Sequence, residues 1–142
     1  MTDTTTILKT MFFKAARETV WAFLTETNKL ATWFHPTALD LAEGEEYLCV
    51  RTANDGAVVP QIWGRVLEMD RPSKLIMTFE IAPFEGRETV VTWILEEASG
   101  GTRLTLKHEG IAEASGAAAL NLLLALDHGW DEHLDGLRKS AI

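Results

Sequence analysis

Asp127 is the residue of this 142-residue chain with the plainest chemical potential. It sits in Leu122-Leu123-Leu124-Ala125-Leu126-Asp127-His128-Gly129-Trp130, where apolar residues recur at three- and four-residue steps. The step from Leu123 towards Trp130 lands on the carboxylate, so the pattern predicts Asp127 on the apolar stripe of a helix. A carboxylate facing an apolar interior needs a partner or water. Turned inward, it would accept a hydrogen bond from a ligand hydroxyl or amine, or act as a general base. Turned slightly outward, it would simply be solvated. His108 is the second candidate, because it shares the parity of Leu104 and Leu106 in a strand and lies near that strand's end. A structural histidine bonded to the following loop is the competing reading.

Large aromatics supply the remaining candidates. Trp33, Trp63, Trp93 and Trp130, with Phe34 and Phe79, are expected to line an interior cavity, while Trp21 packs the first helix on the sheet. Each of them could equally be core filling. His35, beside Pro36, reads as a loop residue. His128 and His133 are five apart, so they do not share a helix face as a metal pair four apart would, and no metal site is expected. Cys49 is the sole cysteine and reads as a small buried hydrophobe. No nucleophile elbow, phosphate-cradling glycine loop or zinc-spaced carboxylate–histidine motif is present, so no catalytic residue and no cofactor is assigned.

These residues must be positioned by a small set of elements. Residues 117–139 are rich in helix formers and free of proline, which predicts one helix of roughly 35 Å with Leu120, Leu123, Leu124, Trp130, Leu134 and Leu137 on one stripe. Thr6 to Phe13 reads as a strand. Ala15 to Glu26 reads as an amphipathic helix, and Asn28 to Phe34 as a short one capped by Asn28 and stopped before Pro36. From 38 to 109 short β-branched and aromatic runs alternate with Gly, Pro, Asn and Asp clusters, giving strands near 38–42, 46–53, 58–69, 74–82, 87–97 and 102–109. Leu75, Met77, Phe79 and Ile81 share one face, as do Val91, Trp93 and Leu95, and Leu104, Leu106 and His108. In the middle strand the choice between Trp63, Arg65, Leu67 and Ile62, Gly64, Val66 stays open. The result is an α+β domain: a curved antiparallel sheet of about six or seven strands around a long C-terminal helix, with two short helices after the first strand.

Length fits one domain, residues 1–142. At 46% hydrophobic and 24% charged the composition is globular. A formal charge of −8 repels phosphate backbones, so nucleic acid is not an expected partner. The longest apolar run falls far short of the ~20 residues needed to cross a bilayer, and Met1 to Thr6 lacks a secretory pattern, so a cytoplasmic location without membrane insertion is expected. Homodimerisation is left open, since no heptad or long unprotected strand demands it.

Ala15-Ala16-Arg17-Glu18-Thr19-Val20-Trp21 and Leu30-Ala31-Thr32-Trp33-Phe34 resemble the opening helices of the activator of heat-shock protein 90 ATPase homologue family. Gly44-Glu45-Glu46-Tyr47, Gly64 to Pro72, Gly101 to His108 and Gly129-Trp130 followed by Leu134 and Leu137 resemble its later landmarks, in order. Ala16 stands where the family usually has proline, and Gly44-Glu45 where it has paired glycines; both departures fall in turns. The resemblance implies the START-like (SRPBCC) helix-grip fold, similar to the birch-pollen allergen, with a cavity between sheet and terminal helix. The eukaryotic activators carry a further chaperone-contacting domain that these 142 residues do not supply, so chaperone interaction is not expected. The expected role is binding of a small apolar or amphipathic molecule, through Trp33, Phe34, Trp63, Phe79, Trp93, His108, Asp127 and Trp130. The alternatives are an enzyme of cyclase, hydratase or hydrolase type using Asp127 and His108, and a chaperone-interacting module.

Overall fold

Period-two alternation decides the inner face of the sheet, and the register makes it explicit. In the computed structural model, which describes residues 4–142, the strands are β1 (Ile7–Phe13), β2 (Glu46–Thr52), β3 (Val58–Asp70), β4 (Lys74–Phe79), β5 (Thr89–Ala98) and β6 (Gly101–Glu109). They form one antiparallel sheet in the order β1-β6-β5-β4-β3-β2. Trp93 stands between Leu75 and Leu106, and Val91 between Met77 and His108. All six are buried, as are Leu95, Leu104 and Phe79. The open choice in β3 resolves with Ile62 and Val66 inward and Arg65 and Leu67 exposed. Gly64 allows this strand to lie close to β4: a Cβ there would come 2.4 Å from the Thr78 carbonyl oxygen. Thr78 is further engaged by the Tyr47 hydroxyl and by the Arg65 N–H.

The expected strand at 38–42 is absent. That stretch is a loop, and its link to the sheet is an isolated bridge between Thr37 and Cys49. Polar groups of the loop serve the helices instead. Asp40 accepts from the Thr27 N–H at 2.9 Å, so α2 (Thr27–Trp33) is capped from a distance and not by Asn28. Thr27 donates its hydroxyl to the Thr37 carbonyl. The helix before it, α1 (Arg17–Thr25), buries Val20, Trp21 and Leu24.

The terminal helical region is divided. α3 (Ile111–Ser115) passes through a 3-10 turn at Gly116–Ala118 into α4 (Ala119–Ser140). Glycines at 110 and 116 take positive φ at the two ends of α3. Trp130, Leu134 and Leu137 are the buried residues of α4, whereas Leu120 and Leu124 are 68% and 61% exposed. The stripe is therefore fully buried in its C-terminal half, while Leu122, Leu123 and Leu126 of the N-terminal half pack against the core half-buried. No helix among the described residues is long and apolar enough to cross a membrane. The reading of the extreme N-terminus falls partly on Met1–Asp3, outside the described residues.

Candidate functional site

Trp130 is the centre of the interior, and its neighbours are set by one turn of α4 either side. Its ring lies 5.6 Å from Trp93, 5.8 Å from Phe79 and 5.7 Å from Phe34, the last nearly parallel at 9°. Trp33 stacks on Phe34 at 5.1 Å and meets Trp93 edge-on, while its indole N–H donates to the Phe23 carbonyl. Five of the six expected aromatics thus form one interlocked cluster. The exception is Trp63. It pairs with Leu48 across β2 on the outer face, where it borders an open trough with Leu39 and Val58, both well exposed. That trough has a volume of about 840 Å³. It is separate from the aromatic cluster, because outward parity on β2 and β3 carries its walls away from α4.

His108 is sealed inside this cluster and fully committed. Its Nδ1 accepts from the Trp130 indole N–H at 3.0 Å, which leaves Nε2 to carry the proton. That proton goes to the Thr89 hydroxyl at 2.8 Å, and Thr89 in turn donates to the Phe79 carbonyl at 2.6 Å. Each donor in this chain has an acceptor and the direction is fixed by the indole, which can only donate. Burial pushes the His108 imidazole down to about 3, so it is neutral at any ordinary pH. With 0% exposure and both nitrogens occupied, it ties β6, β5 and α4 together and has nothing left for a ligand.

Asp127 does not face the interior. Its side chain is 56% exposed and its Oδ1 accepts from Lys9 Nζ at 2.6 Å. Asp131, one turn on, holds the same ammonium at 2.9 Å. Burial lowers the Lys9 pKa, but the hydrogen bonds and charges of the two carboxylates more than offset this, leaving it raised. At ~100° per residue, Asp127 lies about 60° to one side of Trp130 and His133 about 60° to the other. The carboxylate flank meets β1. The imidazole flank meets a recess.

That recess is an opening of about 190 Å³ between the segment after α2, the β3–β4 end of the sheet and α4. Phe34, Phe79, Ile62, Ile81, Leu126 and Trp130 are its apolar walls, and His35, Gln61 and His133 its polar groups. Gly129 belongs to its helical wall, and a Cβ there would meet nothing within 4 Å. Deeper in, only about 20 Å³ is left between Trp33, Met77 and Trp93. Pro36 fixes the segment that carries Phe34 and His35, since its carbonyl accepts from the Val50 N–H on β2. His133 Nδ1 lies 3.2 Å from the Trp33 carbonyl oxygen. A carbonyl accepts only, so Nδ1 carries the proton and Nε2 presents a lone pair. The His35 and His133 rings are 5.3 Å apart. Burial lowers the pKa of both, with the neighbouring imidazole adding to the effect at His35 and the Trp33 and Glu132 interactions opposing it at His133.

Residues 14–141 match the family described as Activator of Hsp90 ATPase homolog 1-like protein. The chain belongs to that family. Among solved structures, its fold is similar to those of protein MLL2253 from Mesorhizobium loti (20% identity, TM-score 0.77, 94% of each chain covered) and protein NE0264 from Nitrosomonas europaea (22%, TM-score 0.76, 99% of this chain and 97% of that one). Protein CV1439 from Chromobacterium violaceum is similar too (23%, TM-score 0.76, 96% of each). No curated protein matches the chain. These likenesses show the helix-grip architecture of the family member.

Two residues of the recess, His35 and His133, were read from the sequence as a loop residue and as an unpaired helix histidine, not as members of a site. His35 follows the aromatic pair Trp33-Phe34 and precedes a proline, which looks like any loop. His133 is three residues from Trp130, and that spacing is the signal that could have placed it beside the buried tryptophan. Cys49 is buried as expected, and burial pushes its thiol up to about 12. Among the described residues, no group of three or more His, Cys, Asp or Glu could hold a metal ion.

Proposed function

We propose that this family member binds a small apolar or amphipathic molecule in the recess between Phe34-His35, the β3–β4 end of the sheet and α4. The observation that carries the reading is Gly129. A glycine in a helix interior costs about 1 kcal/mol relative to alanine, yet here there is space for a side chain, and that space continues the recess. Nothing steric in the fold asks for glycine at that position; keeping a binding site open does. The walls are apolar and aromatic, with a few convergent polar groups, which is the usual make-up of a small-molecule site. Its volume of about 190 Å³ is below the ~300 Å³ at which drug-sized ligands begin to fit, so long-chain lipids and polycyclic molecules are disfavoured.

Catalysis through Asp127 and His108 is not supported by the geometry. Those side chains would have to reach a shared space, whereas the first is held outside by Lys9 and the second is enclosed by Trp130 and Thr89.

Native mass spectrometry of gently purified protein, combined with displacement of a fluorescent hydrophobic probe, tests the proposal. Wild-type protein should take up the probe and release it to small apolar competitors. In Gly129→Leu the new side chain projects into the recess and uptake should fall at least tenfold. Equal uptake by both proteins would assign binding to another surface and overturn the reading.

A further inference from the structure

Resting on that reading of the recess, we infer that its ligand is a single-ring aromatic carrying a hydroxyl donor, a phenol, held with its ring between the aromatic walls and its hydroxyl on His133 Nε2. Size comes first. An apolar cavity of about 150 Å³ is known to hold benzene, and the 190 Å³ available here accommodates one six-membered ring with one or two substituents. Shape comes next. Phe34, Phe79 and Trp130 all line the recess, with Phe34 and Trp130 stacked on each other and Phe79 tilted 46° to Trp130, so a planar guest meets aromatic wall on the side away from that stack.

Polarity then separates a phenol from a plain arene. The Trp33 carbonyl holds the Nδ1 proton of His133, which fixes the tautomer whose Nε2 can only accept. An acceptor beside an otherwise apolar wall favours a guest that donates and penalises one that leaves the lone pair dry. His35 packs edge-on against His133 at 5.3 Å, so these two polar groups of the recess are gathered at one place on its wall. Burial lowers the pKa of both imidazoles and so favours their neutral forms, which leaves an anionic guest no built-in cation here. Phenols are therefore preferred over carboxylates of the same size. No proton need be transferred and no bond is made; the site recognises and holds.

Phenol and toluene have the same number of heavy atoms and nearly the same shape, so they isolate the hydroxyl. Titrating both into wild-type protein at pH 8, followed by tryptophan fluorescence or calorimetry, should give phenol an affinity at least tenfold above toluene. In His133→Phe that preference should vanish while toluene still binds. Should the substitution prevent folding, the ¹⁵N resonance of His133 Nε2 in the wild-type protein gives an independent readout. It should shift on adding phenol and stay in place on adding toluene. Equal affinities for the two compounds, or a phenol preference that survives in His133→Phe, overturn the assignment of the ligand class while leaving the small-molecule site intact. Binding of neither compound removes the site itself.

Discussion

Replacing His108 by leucine should remove one proton's worth of acid sensitivity from the fold, and the size of the effect follows from the buried chain. In the folded protein the imidazole is pushed down to about 3 by burial, against about 6.5 when unfolded. Between these values the unfolded state binds the proton and the folded state does not, so stability falls as pH falls. The sign is that of a depressed group: its full contribution is present above pH ~6.5 and is lost progressively down to ~3. The slope attributable to His108 is about 1.4 kcal/mol per pH unit, and over the whole window about 5 kcal/mol, comparable to the total stability of a small domain. At pH 7 the leucine variant leaves the buried Trp130 indole N–H unpaired, whereas the Thr89 hydroxyl keeps its bond to the Phe79 carbonyl and loses only the one it accepted. The orphaned indole costs about 1–3 kcal/mol. Urea titrations of both proteins at pH 7, 6, 5 and 4 provide the assay. The wild type should start more stable and lose its lead steadily on acidification. Parallel pH profiles for the two proteins would refute both the neutral state of His108 and the chain built on it.

Further outcomes follow from the same geometry. Gly129→Ala should stabilise the fold by about 1 kcal/mol, roughly 4 °C in Tm, because the methyl gains helix propensity and meets no neighbour; a loss of stability in thermal melts would contradict the open space. Lys9→Met should cost about 1 kcal/mol at low salt and less at high salt, since it unpins Asp127 and Asp131 from β1, and hydrogen exchange should speed up in the N-terminal half of α4, which buries no residue. Cys49 should resist alkylation at pH 8 in the folded protein, its thiol being buried and its pKa pushed up to about 12, and react once urea unfolds the chain.

The sheet was legible in the sequence because β4, β5 and β6 place large apolar side chains at every second position with polar ones between, and only one face of such a strand can be inside. β3 lacked that clarity: Trp63 and Leu67 are apolar yet point outward, and the decision came from Gly64, whose missing side chain lets Thr78 approach. The expected strand at 38–42 failed because its central polar residue, Asp40, is spent capping α2. On α4 the error was angular. Steps of three and four residues mark a stripe more than 100° wide, and Asp127 and His133 sit on its opposite edges. Which edge meets a cavity depends on where the sheet stops, and no local pattern encodes that. His108 was correctly placed inside by parity; its commitment to Trp130 and Thr89 needed the packing of three elements that lie far apart in sequence.

The location of the binding site is tested most directly by a crystal structure of the protein grown in the presence of phenol. The account predicts electron density for one ring in the recess beside Gly129, against Phe34, Phe79 and Trp130, with the hydroxyl within hydrogen-bond reach of His133 Nε2. An empty recess, or a ring bound only in the outer trough beside Trp63, would contradict it.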